Sequence, residues 1–452
     1  MLADRVTNLM DISQWKLTPY QVLVLGFAGL ILAGAALLTL PAASATGQST
    51  PFLDALFTAT SAVCVTGLIV VDTGRHWSLF GQLVIITLIQ MGGLGIIAMT
   101  TIFALLMGRQ IKLKERLLMQ EALNQLTMSG IVRLMVYILK TTLLIEFIGG
   151  TILAIRWYGE FGPKGIYYGF WHAISSFCNA GFDLFGDFQS LTSFVDDWTV
   201  NLTIMTLIIL GGLGFTVMSD VLENRRFSKL ALHSKVVLTA TVILIVGGAF
   251  IIYLIEIDNP ATIGNLTWEG KLLGSLFQSV TPRTAGYNTL DMAKLEDATL
   301  FFMILLMFIG GSPTSTAGGI KTTTFAVLLA AIYTMIQGRE EAELFRRRLP
   351  QQVIYKAFTV LSIAGLLVIF ITMALAITEK APFLTIFFEV VSAFGTVGLS
   401  TGITPSLTAT GKLYLILTMF AGRVGPITLA LALALRGQKA QVRYPEGKVI
   451  IG

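Results

Sequence analysis

The sequence predicts an all-α integral membrane protein: eight transmembrane helices plus four re-entrant pore helices, laid out as four pseudo-fourfold helix–pore loop–helix repeats around one central pore. Three observations carry that prediction. Of 452 residues, 54% are hydrophobic and 13% charged, with a mean hydropathy of +0.78, too little polar surface to clothe the roughly three soluble domains this length would allow. Apolar stretches long enough to cross a bilayer alternate with stretches too short to do so. A glycine turn follows each short stretch at nearly even intervals.

The long stretches lie near 20–40, 78–107, 131–155, 199–218, 235–255, 299–337, 353–377 and 412–435. Each holds roughly the twenty residues a helix needs to cross a ~30 Å hydrocarbon core. Between the members of each consecutive pair lie Phe52 to Val63, Gly169 to Cys178, Leu272 to Val280 and Phe383 to Phe394, of about ten to twelve residues, a length that suits re-entrant segments. The polar start, Met1 to Lys16, has no small-residue cleavage site, so the first apolar run is expected to remain as a helix. With the N-terminus inside, twenty of the 31 Lys and Arg fall on the cytoplasmic side, as the positive-inside tendency asks. The expected organisation is a cytoplasmic N-terminus (1–19), repeats at 20–107, 131–218, 235–337 and 353–436, and a cytoplasmic tail (437–452), with the short segments opening to the outside of a multi-pass cell-membrane protein.

The same composition excludes other classes. An excess of 31 basic over 26 acidic residues, net +5, is too small and scattered to grip nucleic acid. Two cysteines and three histidines show no metal-type spacing. No paired-carboxylate, His or Cys constellation has catalytic spacing, so no enzyme is expected. Cys64 and Cys178 read as small packing residues without a disulfide, and Lys140 and Glu146, on one span, as members of interhelical pairs.

The four turns are Val65-Thr66-Gly67, Asn179-Ala180-Gly181, Thr284-Ala285-Gly286 and Thr396-Val397-Gly398, their glycines 114, 105 and 112 residues apart. A second glycine mark follows in the next helix at Gly92-Gly93, Gly211-Gly212, Gly310-Gly311 and Gly422, after 25, 30, 24 and 24 residues. Such a register is the signature of an internal repeat. Non-helical backbone at membrane depth is tolerated only where protein buries it or water bathes it. Four turns about one axis would supply a ring of carbonyls able to replace the water shell of an alkali cation. Glycine allows the backbone angles that aligned carbonyls require, and the negative C-terminal end of each short helix would face a cation at the centre. The prediction is a cation filter.

These residues resemble a known family. Thr284-Ala285-Gly286-Tyr287 and Thr396-Val397-Gly398-Leu399 look like degraded copies of the potassium-channel TVGY signature, four to a chain. That arrangement is similar to the Trk/Ktr/HKT superfamily of potassium transporters. Further matches are Val63-Cys64-Val65-Thr66-Gly67-Leu68, Thr281-Pro282-Arg283-Thr284-Ala285-Gly286, Ser315-Thr316-Ala317-Gly318-Gly319-Ile320-Lys321 and Ser392-Ala393-Phe394-Gly395-Thr396-Val397-Gly398. Eight spans without an extra N-terminal pair, and the ending Arg443-Tyr444-Pro445-Glu446-Gly447, resemble the Ktr-type membrane subunit of the KtrB or KtrD kind. The resemblance implies potassium (K+) uptake often aided by sodium (Na+), a homodimer with one pore per subunit in a bacterial cell membrane, and a cytosolic RCK-type regulatory ring subunit (KtrA/KtrC-like) that binds ATP or ADP. This chain itself has no Walker-type loop or G-x-G-x-x-G, so nucleotide acts only through that partner. A Ser at the first filter position goes with sodium conduction in plant relatives, so Gly67 implies a potassium-type filter. One glycine per repeat implies looser selectivity than a potassium channel has.

Residues 299–337 as one helix would reach about 58 Å, nearly twice a ~30 Å core. The chain must break, and the break is written at Gly310, Gly311, Ser312, Thr314, Ser315, Thr316, Gly318 and Gly319, a polar loop (310–324) expected beneath the filter in one of four otherwise matched helices. By resemblance this loop is the gate and Lys321 belongs to it. Arg423 lies at the equivalent register of repeat four; a charge there costs at least about 2.5 kcal/mol and should face water or a partner. It is expected in the pore below the filter, as a positive barrier pairing with the loop's hydroxyls and carbonyls. Asp54 and Glu389, in the first and fourth short segments, either brace the filter by pairing with Arg283 or concentrate cations at the mouth. Bracing is favoured, since a free Arg at a cation entrance would repel the substrate. Two rival readings stay open: a sodium-coupled small-solute carrier, which would normally show inverted repeats, and an intramembrane enzyme.

Overall fold

The computed structural model describes residues 18–95 and 130–425, with residues 117, 120, 428, 429 and 432 besides. The first repeat runs α1 (Pro19–Thr39), α2 (Phe52–Val63) and α3 (Leu79–Leu94); the second runs α4 (Ile131–Phe161), α5 (Pro163–Phe177), α6 (Trp198–Leu213) and α7 (Phe215–Asn224). The third is α8 (Leu232–Glu256), α9 (Trp268–Val280), α10 (Asp297–Phe308) and α11 (Thr322–Ile336). A two-stranded hairpin, β1 (Glu343–Leu344) with β2 (Arg347–Arg348), leads to the fourth: α12 (Gln351–Thr378), α13 (Phe383–Gly395) and α14 (Ala409–Val424).

The helix that opens each repeat is the long one. Among the described residues α1, α4, α8 and α12 are long and apolar enough to cross a membrane, and α6 with α7 makes a fifth if that bent pair is one span. Their outward faces carry exposed leucine, valine and phenylalanine, as at Leu32, Phe147, Val246 and Phe370, the apolar surface that lipid would cover. The short helices are the reverse. α2, α5, α9 and α13 have 12 to 15 residues, about 18–23 Å of helix, and their C-terminal halves are buried at the centre. Each packs against its neighbours in the same repeat, and the cores of repeats one and four run together through Phe57, Phe388 and Phe394.

The helices that close the repeats begin with matching caps: Ser78 accepts from Gly81 N, Asp197 from Val200 N and Thr408 from Gly411 N. Such caps satisfy N–H groups that have no partner within the helix. They also end alike, which departs from the expectation of a single broken helix. α3, α6 and α14 stop at Leu94, Leu213 and Val424, each followed by a glycine of nearly the same conformation: Gly95 (φ 88°, ψ 138°), Gly214 (94°, 138°) and Gly425 (92°, 134°). That region of backbone space is essentially closed to side-chain-bearing residues. At Gly214 the chain turns through 96° into α7. Repeat three stops without such a glycine: α10 ends at Phe308, capped by Ile309 (φ −91°, ψ 87°), and the loop is inserted before α11. The predicted span 78–107 therefore ends as a straight helix at Leu94, and the parts of spans 78–107 and 412–435 beyond Gly95 and Gly425, with both termini, lie outside the described residues apart from isolated positions.

Candidate functional site

Each short helix ends in a turn built the same way. The residue before the turn glycine donates its N–H back to the helix: Thr66 to Ser61 O (2.8 Å), Ala180 to Ser175 O (2.8 Å), Ala285 to Thr281 O (2.9 Å) and Val397 to Ser392 O (2.8 Å). A hydroxyl at the same place ties the outgoing strand. Gly67 N donates to Ser61 Oγ (3.0 Å) and Gly398 N to Ser392 Oγ (3.1 Å), while Ser175 Oγ donates to Phe182 O (3.0 Å) and Thr281 Oγ1 to Tyr287 O (2.5 Å). These four hydroxyls escaped the reading of the sequence, although a Ser six residues before the glycine in three repeats was a signal available there.

Between those ties the backbone is left-handed twice per repeat, at Val65, Asn179, Thr284 and Thr396 (φ 51°, 57°, 69°, 51°) and at Gly67, Gly181, Gly286 and Gly398 (93°, 69°, 81°, 93°). Three of the first set are β-branched, for which a positive φ costs about 1–3 kcal/mol and persists only where the surroundings enforce it. The glycines meet in cyclic order. A methyl group on Gly67 would strike Ala180 O, one on Gly181 would strike Ala285 O, one on Gly286 would strike Val397 O, and one on Gly398 would strike Thr66 O. Repeat one abuts two, two abuts three, three abuts four, and four abuts one. All four glycines line a single cavity of about 280 Å³, with Asp183, Ser190, Asn288, Ser400 and Thr404 on its walls. The hydroxyls of Thr66, Thr284 and Thr396 are buried without a hydrogen-bond partner among the described residues.

Asp183, in the stretch that leaves the second turn, is 8% exposed. Burial raises its carboxyl to about 7, offset in part by the N–H groups of Phe185 and Gly186, while nearby Asp72 pushes it further up.

The loop between α10 and α11 closes on itself where Gly310 N donates to Ile320 O (2.8 Å) and Thr322 N to Gly311 O (3.0 Å). It docks on the α6–α7 break: Ser312 N donates to Gly212 O (3.0 Å), Thr316 N to Gly211 O (3.2 Å), Phe215 N to Thr314 O (3.1 Å), and Thr314 Oγ1 lies 2.9 Å from Thr216 Oγ1. Inside the loop, Ser312 Oγ meets Thr322 Oγ1 (2.9 Å) and Ser315 Oγ donates to Ser312 O (2.7 Å). A side chain at Gly318 would collide with Thr396 of the fourth turn, and Gly319 is left-handed (φ 67°). Lys321 turns back on its own loop, donating to Ala317 O (2.7 Å) and Gly318 O (3.5 Å). Arg423 spans three repeats, with Nη1 donating to Thr316 O and Nη2 to Gly92 O (2.5 Å) and Gly93 O (3.1 Å) at the carbonyl end of α3. Backbone carbonyls at a helix C-terminus suit a cation.

The expected bracing pair does not form. Asp54 is paired with Lys412 (2.7 Å), Glu389 accepts from Thr404 Oγ1, and Arg283 is buried with its Nη1 unpartnered among the described residues. The reason is axial position. Asp54 and Glu389 stand thirteen and nine residues before their turn glycines, nearer the start of the short helix, whereas Arg283 stands three before Gly286. Thr404, whose hydroxyl donates to Glu389, also lies 3.0 Å from Ser400 Oγ on the cavity wall. Glu146 makes an interhelical contact, accepting from Gln90 (3.2 Å) and lying 4.0 Å from Cys178 Sγ, whereas Lys140 is exposed. Both cysteines are free.

Residues 18–444 match the TrkH family, described as cation transport proteins. The chain is 46% identical over 439 residues to the Ktr system potassium uptake protein B of Bacillus subtilis, covering 97% of each. It is 44% identical over 444 residues to the potassium/sodium uptake protein NtpJ of Enterococcus hirae, covering 97% of this chain and 98% of that one. Its fold is similar to the crystal structure of the potassium transporter TrkH from Vibrio parahaemolyticus, with a TM-score of 0.76 at 18% identity over 94% of this chain and 86% of that one. The chain belongs to the TrkH family of cation transport proteins.

Proposed function

Proceeding from that membership, we propose that the chain takes up potassium across a cell membrane through a filter with one glycine per repeat. The observation that carries this reading is the cyclic closure of Gly67, Gly181, Gly286 and Gly398 on one cavity. A ring of four turns, each behind the carbonyl end of a short helix, offers a dehydrated monovalent cation oxygen ligands and a negative field at one point. The unpartnered threonine hydroxyls add acceptors along the same path. Eight membrane-crossing segments and four re-entrant helices complete the architecture, with both termini in the cytoplasm.

Loop 310–324 is the gate in this reading, held under the filter by Arg423 and by the α6–α7 break. Sodium assists uptake, by coupling or by stimulation, in keeping with the potassium/sodium uptake function for which the Enterococcus relative is named. The relatives' designation as a Ktr system supports a multi-component assembly: a homodimer on a cytosolic ring subunit that carries ATP or ADP, so that nucleotide acts on this chain only through the ring. The test is rubidium flux into liposomes holding the purified chain, with and without sodium. Flux that potassium inhibits and small organic solutes leave unchanged is expected. Solute-dependent sodium flux without rubidium entry would overturn the reading in favour of a sodium-coupled carrier.

A further inference from the structure

Asn179 occupies the left-handed place two residues before its filter glycine, where the other repeats carry Val65, Thr284 and Thr396. Asparagine tolerates that backbone better than β-branched residues do, but valine and threonine manage it elsewhere in the same ring. What sets Asn179 apart is where its amide goes. The side chain is fully buried and lies against α6, where a methyl group on Gly211 would sit 2.5 Å from its Oδ1. Nδ2 donates to Arg283 O (3.2 Å), at the base of the third turn, and Oδ1 accepts from Thr316 Oγ1 (3.1 Å), in the loop. One amide thus touches the seam between the second and third filter turns on one side and the loop on the other.

Thr316 is correspondingly committed. Its N–H goes to Gly211 O, its carbonyl to Arg423, and its one hydroxyl proton is shared between Phe177 O (3.2 Å) and Asn179. When the loop leaves, Asn179 Oδ1 loses the donor it has in Thr316 Oγ1, and a buried acceptor left unpaired costs its desolvation penalty unless the side chain turns. Turning the amide would break the bond to Arg283 O and loosen the seam.

We propose that Asn179 is a positioning residue that couples the place of the loop to the ion held in the filter, through Thr316 on one side and the Arg283 carbonyl on the other. The inference rests on the gate and filter reading above. By linkage the coupling is reciprocal: the loop's position alters potassium affinity at the filter, and filter occupancy biases the loop.

The test is a double-mutant cycle on the full-length chain, read as potassium and sodium binding from the thermal midpoint against added KCl or NaCl. The loop variant is Thr316→Val, which removes the hydroxyl and keeps the shape. The filter variant is Asn179→Val, the residue that repeat one carries at Val65. Thr316→Val is expected to change potassium affinity by about fivefold in the native background, and by less than about twofold in Asn179→Val, within the range for residues sharing one network. Thr314→Val, whose hydroxyl faces Thr216 instead, should show no such dependence on Asn179. Equal shifts in both backgrounds would overturn the coupling. If Asn179→Val does not fold, Asn179→Asp takes its place: it keeps the acceptor for Thr316 but loses the donor to Arg283 O, so an unchanged Thr316→Val shift in Asn179→Asp overturns the coupling equally. Loop removal that leaves flux unchanged would instead sink the gate reading, a different result from an absent coupling with flux raised.

Discussion

Arg423 holds Thr316 by its main-chain carbonyl while its other terminal nitrogen holds Gly92 and Gly93. One side chain from repeat four therefore fastens the loop of repeat three to the end of the helix that closes repeat one. The charge is satisfied by carbonyls and pairs with no carboxylate among the described residues, so it remains a net positive charge beneath the glycine ring.

That arrangement staples the loop, and under the proposed gate reading the same charge is also a barrier; substitutions separate the two. Arg423→Ala removes both and should raise rubidium flux about tenfold or more, since a unit charge about 4 Å from a permeating cation at an effective dielectric near 20 is worth on the order of 4 kcal/mol. Arg423→Lys keeps the charge, but a single ammonium on a flexible stem replaces the fork that reaches both sets of carbonyls. Flux in the lysine variant close to native marks the charge as dominant; flux close to the alanine variant marks the staple. Removal of loop residues 312–317 with no gain in flux would show that neither acts as a gate.

At Gly67 the prediction is loss of selectivity. Any Cβ there meets Ala180 O, and the φ of 93° is strained for an L-residue besides. Gly67→Ser is expected to reduce the potassium-to-sodium permeability ratio about tenfold, equivalent to about 1.4 kcal/mol lost from the preferred ion, while the folded protein is recovered in normal yield. An unchanged ratio in folded protein would remove Gly67 from the filter.

What the sequence made legible is the part that repeats. The four glycines, the four residues two places before them and the polar break at 310–319 are visible because spacing alone defines them. Partners across repeats were not. The pairing of Asp54 with Lys412, 358 positions apart, depends on repeats one and four closing the ring, and no local pattern reports which carboxylate stands at which height. The expectation that only one closing helix breaks was misled by composition. Repeat three advertises its break with Ser, Thr and Pro, whereas Gly214 bends the chain between α6 and α7 with one residue inside an apolar run.

The ties on the turns give a stability prediction. Gly67 N and Gly398 N each depend on one serine hydroxyl, from Ser61 and Ser392, and a buried N–H stripped of its acceptor costs about 1–3 kcal/mol. Ser61→Ala and Ser392→Ala should each lower the thermal midpoint and reduce the further rise produced by potassium chloride. Ser275, whose hydroxyl is buried without a partner among the described residues, serves as the control: Ser275→Ala should change neither quantity. If all three behave alike, the hydroxyls fill space and do not hold the filter.

The outer mouth should respond to pH through Asp183. Burial lifts its carboxyl from 3.8 to about 7, with Asp72 adding to the rise, so the native chain keeps a proton that the unfolded chain has already released. Stability contributed by this group is therefore present at low pH and lost as pH rises from about 4 to about 7, then constant. Function runs the other way. Above about pH 7 the wall of the cavity beside Gly67, Gly181, Gly286 and Gly398 carries one more negative charge; even at roughly 8 Å and an effective dielectric near 40, such a charge is worth about 1 kcal/mol to an approaching cation. Uptake from low external potassium should accordingly rise about fivefold between external pH values near 6 and 8, with its midpoint near 7. Asp183→Asn should fix uptake near the acid value at every pH while raising thermal stability at the alkaline end. A pH profile unchanged by Asp183→Asn would assign the titration to another group, and a rise in uptake on acidification would contradict an attractive role for this carboxylate.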